Sequence, residues 1–553
     1  MSSNLKFACL QLFGSAEVIP LILVLLAVAL AVYFVNQNKA EKKKLTSAIS
    51  KSMNSNFEDN SDNESFPQDN SSVAENGING LDTPLIKFSK SERKDWWTIR
   101  DAVRGTQIFG GIGSGKSSGS GKMIAKSFLK NGFGGLVLCA KPDEKNNWID
   151  MAVSMGRADD IIVFGEHSKY QFNPLQYELQ REGKGAGEVI NLSNMFMAIY
   201  KMGNRLSGGG SGGGSNERFW DNALRRCLNR MIQLLNLSGR ELSIANMRRM
   251  ISTVPMDHEA QKVDEMSDEE LEEWGKRNFC VDCILDAGDR VGDDEELEQE
   301  YYLVYDYFLR EFPSLPAETR PSIVESFLGI AEAFTSGILK RHFSNDVNLF
   351  PEETHKGKII ILNFPVKEYL DAGVYAQGIY KLIWQQATER RTVTEDTKPV
   401  FLWVDEAQLF LSDYDQIFQT TARSSKACTV FISQNISNYY VSIGGNNPKP
   451  KADSLLGNLG TKIFHSNNDT VTNQWASSTI GKAFREMESV NVGKDASFGL
   501  SSQFHWQVEP REFTTLASGA AENDFKVEGI ITIAGREWSN GKNYIRRKFS
   551  QKS

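Results

Sequence analysis

Gly110-Gly111-Ile112-Gly113-Ser114-Gly115-Lys116-Ser117 fits G-x-x-x-x-G-K-[ST], a pattern in which successive backbone N–H groups turn toward one phosphate. Glycines allow the tight turn, Lys116 reaches the β- and γ-phosphates, and the Ser117 hydroxyl is placed to ligate Mg²⁺. Ser118, next in the chain, is counted with the nucleotide-binding residues. A second G-S-G-K, Gly119 to Lys122, is followed by Met123, which offers a cation no hydroxyl.

The partner of this loop stands almost three hundred residues downstream. Val400-Phe401-Leu402-Trp403-Val404 is an apolar run that ends in Asp405 and Glu406. Such a strand carries Asp405 to the Mg²⁺ shell and puts Glu406 where it can polarise an attacking water. Gly110 through Ser118, Asp405 and Glu406 together predict an ATP hydrolase that uses Mg²⁺. Thr429-Val430-Phe431-Ile432-Ser433-Gln434 is a further strand ending in a polar pair, so Gln434 is a candidate sensor of the γ-phosphate or the water.

These residues need a scaffold that brings strand ends together. Thr106–Phe109 reads as the strand entering the loop, and Lys122–Lys130 as the amphipathic helix whose N-terminus faces the phosphates. Gly135–Ala140, Ile161–Phe164 and Lys358–Phe364 are further strands, and Gly378–Arg390 is a helix. Phe172-Asn173-Pro174-Leu175 marks a turn. Alternation of this kind predicts an α/β fold with a mostly parallel sheet covered by helices on both faces.

Between the two halves the texture changes. Ser207–Ser215 (SGGGSGGGS) reads as a flexible loop and has the composition of an engineered linker. From Asn216 to about Asn345 helical periodicity dominates, which predicts an all-α insertion. Phe219, Ala223, Cys227 and Met231 recur on one predicted face. Arg225, Arg226 and Arg230 fall on another, either a solvated face or a contact for nucleic acid or a partner.

The net charge of −8 argues at first against a nucleic-acid partner, but it is unevenly spread. Positions 256–300 hold 18 acids and 4 Lys/Arg, so the remainder of the chain is net basic. Within 256–300, Leu271–Glu300 is acidic and not expected to touch DNA directly. Six scattered cysteines build no disulfide framework, and Cys280-x-x-Cys283 has no second pair at zinc-ligand spacing.

Val18–Val35 is eighteen uncharged apolar residues, long enough for one membrane-spanning helix. Lys39, Lys42, Lys43 and Lys44 follow it against a lone Lys6 before it, which predicts the N-terminus outside and the bulk of the chain in the cytoplasm. The next stretch, Ser52–Asp82, is rich in Asn, Ser, Asp and Glu and reads as a tether.

The chain resembles the type IV secretion coupling proteins, the conjugative DNA-transfer ATPases of the TraG/TraD type, and more distantly the FtsK/HerA translocases. The resemblance rests on GGIGSGKS, on AKPDE at 140–144, on FNPL at 172–175, on VFLWVDEA, on ISQN at 432–435, and on Leu459-Gly460-Thr461-Lys462-Ile463 ahead of Asn468-Asp469-Thr470. It spans roughly 90–545 and includes the order of the elements. It implies a RecA-like P-loop NTPase that assembles as a homo-oligomeric ring, expected to be a hexamer, on the bacterial inner membrane. Such a protein receives a relaxase-bound single strand of DNA, or a protein substrate, and drives it to the secretion channel. A coupling protein for protein effectors alone and a double-stranded-DNA translocase are the alternatives.

By the same resemblance the phosphate lysine corresponds to Lys116, the Mg²⁺ ligands to Ser117 and Asp405, the water-activating acid to Glu406, the sensor to Gln434 and the intersubunit arginine to Arg423. The chain departs from the family in two places. Better-known members have two membrane helices, and here one span is expected. Many members place an Asp where this chain has Ala140.

The expected organisation is a periplasmic 1–17, a transmembrane helix over 18–36, a disordered linker over 37–88, a first nucleotide-binding part over 89–190, the all-α insertion over 191–350, and a second nucleotide-binding part over 351–553.

Overall fold

The computed structural model describes residues 80–552 apart from 90–91, 207–214, 293, 445–446 and 492–496. The expected membrane span and N-terminal segment, most of the tether, and the core of the glycine-rich loop lie outside the described residues. Among the described residues no single helix is long and apolar enough to cross a membrane.

The first described strand lies inside the stretch expected to be linker. β1 (Pro84–Lys87) pairs antiparallel with β2 (Trp96–Thr98), with Ile86 and Trp97 buried. The central sheet then takes β3 (Thr106–Phe109), β4 (Gly134–Leu138), β5 (Ile161–Gly165), β6 (Ile359–Asn363), β7 (Val400–Val404), β8 (Ala427–Ser433) and β9 (Thr461–Phe464). A hairpin of β10 (Lys482–Asn491) and β11 (Ser497–Trp506) follows, and β12 (Lys526–Ile533) and β13 (Tyr544–Ser550) return to the sheet edge. The order across the nine strands is β13-β12-β9-β3-β8-β7-β4-β6-β5. β9 through β5 in that order are mutually parallel, and β12 adds antiparallel to β9.

Alternation along each strand feeds two cores. Val137, Ile361, Phe401, Trp403, Val430 and Ile432 point to the face covered by helices Lys122–Lys130 and Glu144–Ser154. There Phe401 stacks between Phe128 and Trp148, with ring centroids 5.5 and 5.4 Å away. Leu136, Leu138, Leu362, Leu402, Val404 and Phe431 point to the other face, into a core continuous with the helical segment.

That segment lies between β5 and β6 in the chain, with helices from Val189–Leu206 to Gly337–Phe343. Its entry and exit are stitched together. Asn173 caps helix Pro174–Gln180 through its side chain, and the backbone N–H groups of Phe172 and Asn173 donate to His342 and Asp346 at 2.7 and 2.8 Å. The motif read as a turn is thus also a helix start that ties the insertion to the sheet.

Four local expectations need correction. The strand expected over 135–140 stops at Leu138, because the N–H groups of Cys139 and Ala140 donate to the side chains of Gln377 and Glu144, both at 2.7 Å. The helix expected from Gly378 begins at Val366, interrupted by a non-helical Leu370. The strand expected over 429–434 runs from Ala427 to Ser433, leaving Gln434 just past its end. Phe219 is 54% exposed, one turn ahead of the packed stripe of Leu224, Cys227, Leu228 and Met231 on helix Ser215–Leu237. Of the arginines there, Arg226 pairs with Glu311 and lies over the Tyr307 ring, and Arg225 donates to Asn194. Arg230 donates to Gln233 at 2.6 Å. The five described cysteines, Cys280 and Cys283 among them, are free and buried.

Candidate active site

In a parallel sheet, the ends of neighbouring strands and the loops after them gather at one edge. β3, β8, β7 and β4 are consecutive neighbours, so the residues after Phe109, Ser433, Val404 and Leu138 meet there. Gly110 N–H donates to the Ser433 carbonyl at 3.3 Å and Gly111 N–H to the Ser466 carbonyl at 2.7 Å, which anchors the loop to β8 and to the segment after β9. Gly113 and Gly115 adopt φ of 73° and 77°, a region that side-chain-bearing residues rarely occupy. Ile112 is 89% exposed at the loop's crest, and the buried Ser114 hydroxyl has no partner. Helical backbone starts at Ser117, through a wider π-type turn over Ser117–Gly121 that continues into Lys122–Lys130.

The two motifs meet directly. Ser117 Oγ donates to Asp405 Oδ2 at 2.6 Å, and Lys116 is buried beside the same acids. Burial lowers the Lys116 ammonium's pKa, while Asp405 and Glu406 oppose that shift. A hydroxyl and a carboxylate are hard oxygen donors of the kind Mg²⁺ takes. The unpartnered Ser114 hydroxyl and the left-handed glycines fit an anion in the loop. The residues present therefore suit a Mg²⁺–nucleotide, with Gly110 to Ser118 as cradle and Ser117 and Asp405 as metal ligands.

Glu406 sits in the left-handed region at φ 49°, ψ 48°, a conformation that costs a side-chain-bearing residue on the order of 1 kcal/mol or more. Three donors converge on its carboxylate. Lys141 Nζ lies 3.0 Å from Oε1, Gln408 Nε2 lies 2.9 Å from Oε2, and Gln434 Nε2 is 3.4 Å from both oxygens. Burial pushes the Glu406 carboxyl up, and the hydrogen bonds from Gln408 and Lys141 outweigh it, leaving it below its ordinary value. Ser433 Oγ in turn donates to Gln408 Oε1 at 2.8 Å, and Asn467 Nδ2 to the Gln434 carbonyl at 2.8 Å.

The structure thus brings together Gly110–Ser118, Asp405, Glu406 and Gln434. It does not bring Arg423 to them. Arg423 is exposed in the turn between helix Asp413–Thr421 and β8, at the opposite end of that strand from Gln434.

Several residues here carried no role that the sequence assigned. Lys141 stands inside AKPDE, where attention falls on the missing Asp at 140 rather than on the lysine. Glu144 is half-buried, with Oε2 accepting from Ala140 N–H at 2.7 Å and a buried Oε1 unpartnered; desolvation first and Asp405 second push its carboxyl up to about 8. His465 bridges Ser120 Oγ and the Glu528 carbonyl, both at 2.7 Å, behind the loop. Gln551 Nε2 donates to Ser118 Oγ at 2.7 Å, so the residue just after the last strand touches the start of the loop's helix.

Fold and site together define a P-loop nucleotide-binding protein of mixed α/β architecture. Residues 399–515 match the family described as the TraM recognition site of TraD and TraG. Among solved structures, the bacterial conjugative coupling protein TrwBΔN70 in an unbound form aligns with a TM-score of 0.53 at 12% identity, covering 83% of this chain and 89% of that one. TrwB in complex with the GTP analogue GDPNP aligns at 0.52 and 13%, covering 82% and 88%. TrwB with ADP and Mg²⁺ aligns at 0.51 and 12%, covering 83% and 89%. At these identities the likeness is one of fold. No curated protein matches the chain in sequence. The family match and the shared fold bear out the resemblance to the type IV coupling proteins drawn from the sequence.

Proposed function

We propose that the chain is a coupling ATPase of a type IV secretion or conjugation system, which hydrolyses ATP to move single-stranded DNA, delivered with its relaxase, toward the secretion channel. The observation that carries the ATPase reading is the Ser117–Asp405 hydrogen bond, which joins the phosphate loop to the acidic strand end beside buried Lys116 and Glu406. TrwB, whose fold the chain shares, has been captured with ADP and Mg²⁺. The match over 399–515 to a TraM recognition family supports a relaxosome-type partner. The apolar run over 18–35 and the lysines after it support a single-pass anchor in the bacterial inner membrane, with the folded part in the cytoplasm. The working form in this reading is a homo-oligomeric ring, a hexamer by analogy with the family.

Within the site, the Gly110–Gly115 turn and Lys116 hold the phosphates, and Ser117 and Asp405 hold Mg²⁺. Bound there, Mg²⁺ neutralises charge on the phosphates. Glu406 accepts a hydrogen bond from the attacking water and Gln434 orients it.

Phosphate release by the purified full chain, alone and with single-stranded or duplex DNA, tests the reading. Stimulation by single strands supports it. Stimulation by duplex alone would favour a duplex translocase, and indifference to DNA would favour a transporter of protein effectors.

A further inference from the structure

Resting on the nucleotide-site reading above, we propose that Lys141 is a γ-phosphate-responsive latch: it holds the Glu406 carboxylate when no triphosphate is present and passes to the γ-phosphate when one binds, releasing Glu406 to the water.

The geometry starts with the backbone. β4 ends at Leu138, and the next residues leave the sheet because side chains, not a neighbouring strand, take their N–H groups. Glu144, at the start of its helix, accepts from Ala140 N–H, while the Lys367 N–H donates to the Ala140 carbonyl at 3.3 Å. Ala140, the residue before Lys141, is thus held through both its N–H and its carbonyl. β4 and β7 are neighbours, with Leu138 level with Val404, so Lys141 emerges beside Asp405 and Glu406. Its ammonium lies 3.0 Å from Glu406 Oε1, with the carboxylate mostly buried and the lysine about one-third exposed.

Two ammonium groups therefore address one pair of acids. Lys116 and Lys141 each feel Asp405 and Glu406, and Lys141 is near enough to Lys116 to disfavour its protonation. Lys116 is the lysine the phosphate loop assigns to the phosphates. Lys141 has a carboxylate instead, and that carboxylate is the one placed to activate water. A carboxylate that accepts from Lys141, Gln408 and Gln434 at once has its lone pairs engaged and is a poor acceptor for water. An incoming γ-phosphate brings more negative charge than one carboxylate, so it competes for the exposed side of Lys141. The left-handed backbone of Glu406 marks a residue held by its surroundings in a less favoured conformation. Lys141 acts here as a positioning residue, through Glu406.

The latch makes binding and release compete for one ammonium, and a four-protein comparison reads that competition. Affinities for Mg²⁺–ADP and for a non-hydrolysable Mg²⁺–ATP analogue are measured by calorimetry on the full chain, on Glu406→Gln, on Lys141→Met and on the double variant. Glu406→Gln frees Lys141 in advance, so the analogue should bind about tenfold tighter while ADP changes by less than about twofold. In the Lys141→Met background that gain should vanish. A gain of equal size in both backgrounds shows that Glu406 merely repels the γ-phosphate, and it overturns the latch. No gain in either background overturns it as well. ADP affinity reports that each variant retains the site. A folded wild-type chain that binds neither nucleotide overturns the nucleotide reading itself, and the latch with it.

Discussion

Ser117 and Asp405, 288 positions apart in the chain, share a hydrogen bond of 2.6 Å. The bond exists because β3 and β7 flank β8 in one parallel sheet, so their C-terminal ends open onto the same edge. It fixes two hard oxygens next to a buried lysine, an arrangement with a direct mutational consequence. Lys116→Ala and Asp405→Ala should each lower ATP hydrolysis by about 10²-fold or more, the usual loss when a charge-stabilising group is removed. Glu406→Gln should instead bind ATP and turn it over slowly, since positioning survives while activation of water is lost. Steady-state phosphate release and nucleotide affinity on the same samples separate the two outcomes. A Glu406→Gln chain that hydrolyses at the wild-type rate moves the water-activating role elsewhere.

His465 predicts a pH dependence of stability. It is fully buried, and burial pulls its imidazole from 6.5 down to about 4, aided by nearby Lys116 and opposed by the Glu528 carbonyl. The unfolded chain thus takes up a proton between those values that the folded chain refuses. Stability from this group is complete above pH 6.5 and falls as the pH drops toward 4. The expected loss is about 1 kcal/mol by pH 5.5. Urea unfolding of wild type and His465→Gln at pH 7.5 and 5.5 measures it. The wild type should lose that much more than the variant on acidification, and equal losses would remove His465 as the cause.

Close packing behind the loop gives a third prediction. A Cβ at Gly119 would stand 2.4 Å from Val527 Cγ2, on the strand that lies against the loop's helix. Gly119→Ala should therefore destabilise the protein by about 1–3 kcal/mol, as over-packing in a full core does. Val527→Ala removes the obstructing methyl groups, so the double variant should recover much of that loss. Thermal unfolding of the four proteins forms the cycle. Additive penalties would show that Gly119 is needed for its backbone rather than for space.

What the sequence revealed depended on how local each signal was. The phosphate loop, the Val400–Glu406 strand end and helix Lys122–Lys130 each carry their pattern within a dozen residues, and they meet at one sheet edge. β12 and β13 lacked such a mark. Val527 and Gln551 reach the loop from more than four hundred positions away, a pairing that no periodicity reveals. Lys141 stands in AKPDE with no role legible there, because its meaning lies in facing Glu406 across neighbouring strands. Phe219 had the right spacing but stood one turn beyond the packed stripe, since periodicity finds a face and not where burial begins. The expected membrane span and the segment before it lie outside the described residues, while the expected linker reaches into them and holds β1 at Pro84–Lys87.

Arg423 is the one candidate that its own site cannot use. It precedes β8, whose seven residues separate it from Gln434 by roughly 20 Å at the rise of an extended strand. Its side chain is exposed, with no hydrogen-bond or ion-pair partner among the described residues. An arginine in that position can serve catalysis only at a neighbour's site, where it would stabilise charge developing on the γ-phosphoryl group. In better-studied enzymes such an arginine contributes ~10³–10⁵ in rate. Arg423→Ala alone should thus fold, bind ATP and lose most hydrolysis. Mixing it with inactive Lys116→Ala subunits provides the decisive measurement. In the proposed ring, mixed assemblies would contain interfaces at which an intact Lys116 faces an intact Arg423, so part of the activity should return as the ratio approaches one to one. Co-assembly without recovery at any ratio would remove Arg423 from the trans role. Full activity of the single variant would remove it from catalysis, leaving an arginine on the surface at the far end of the sheet.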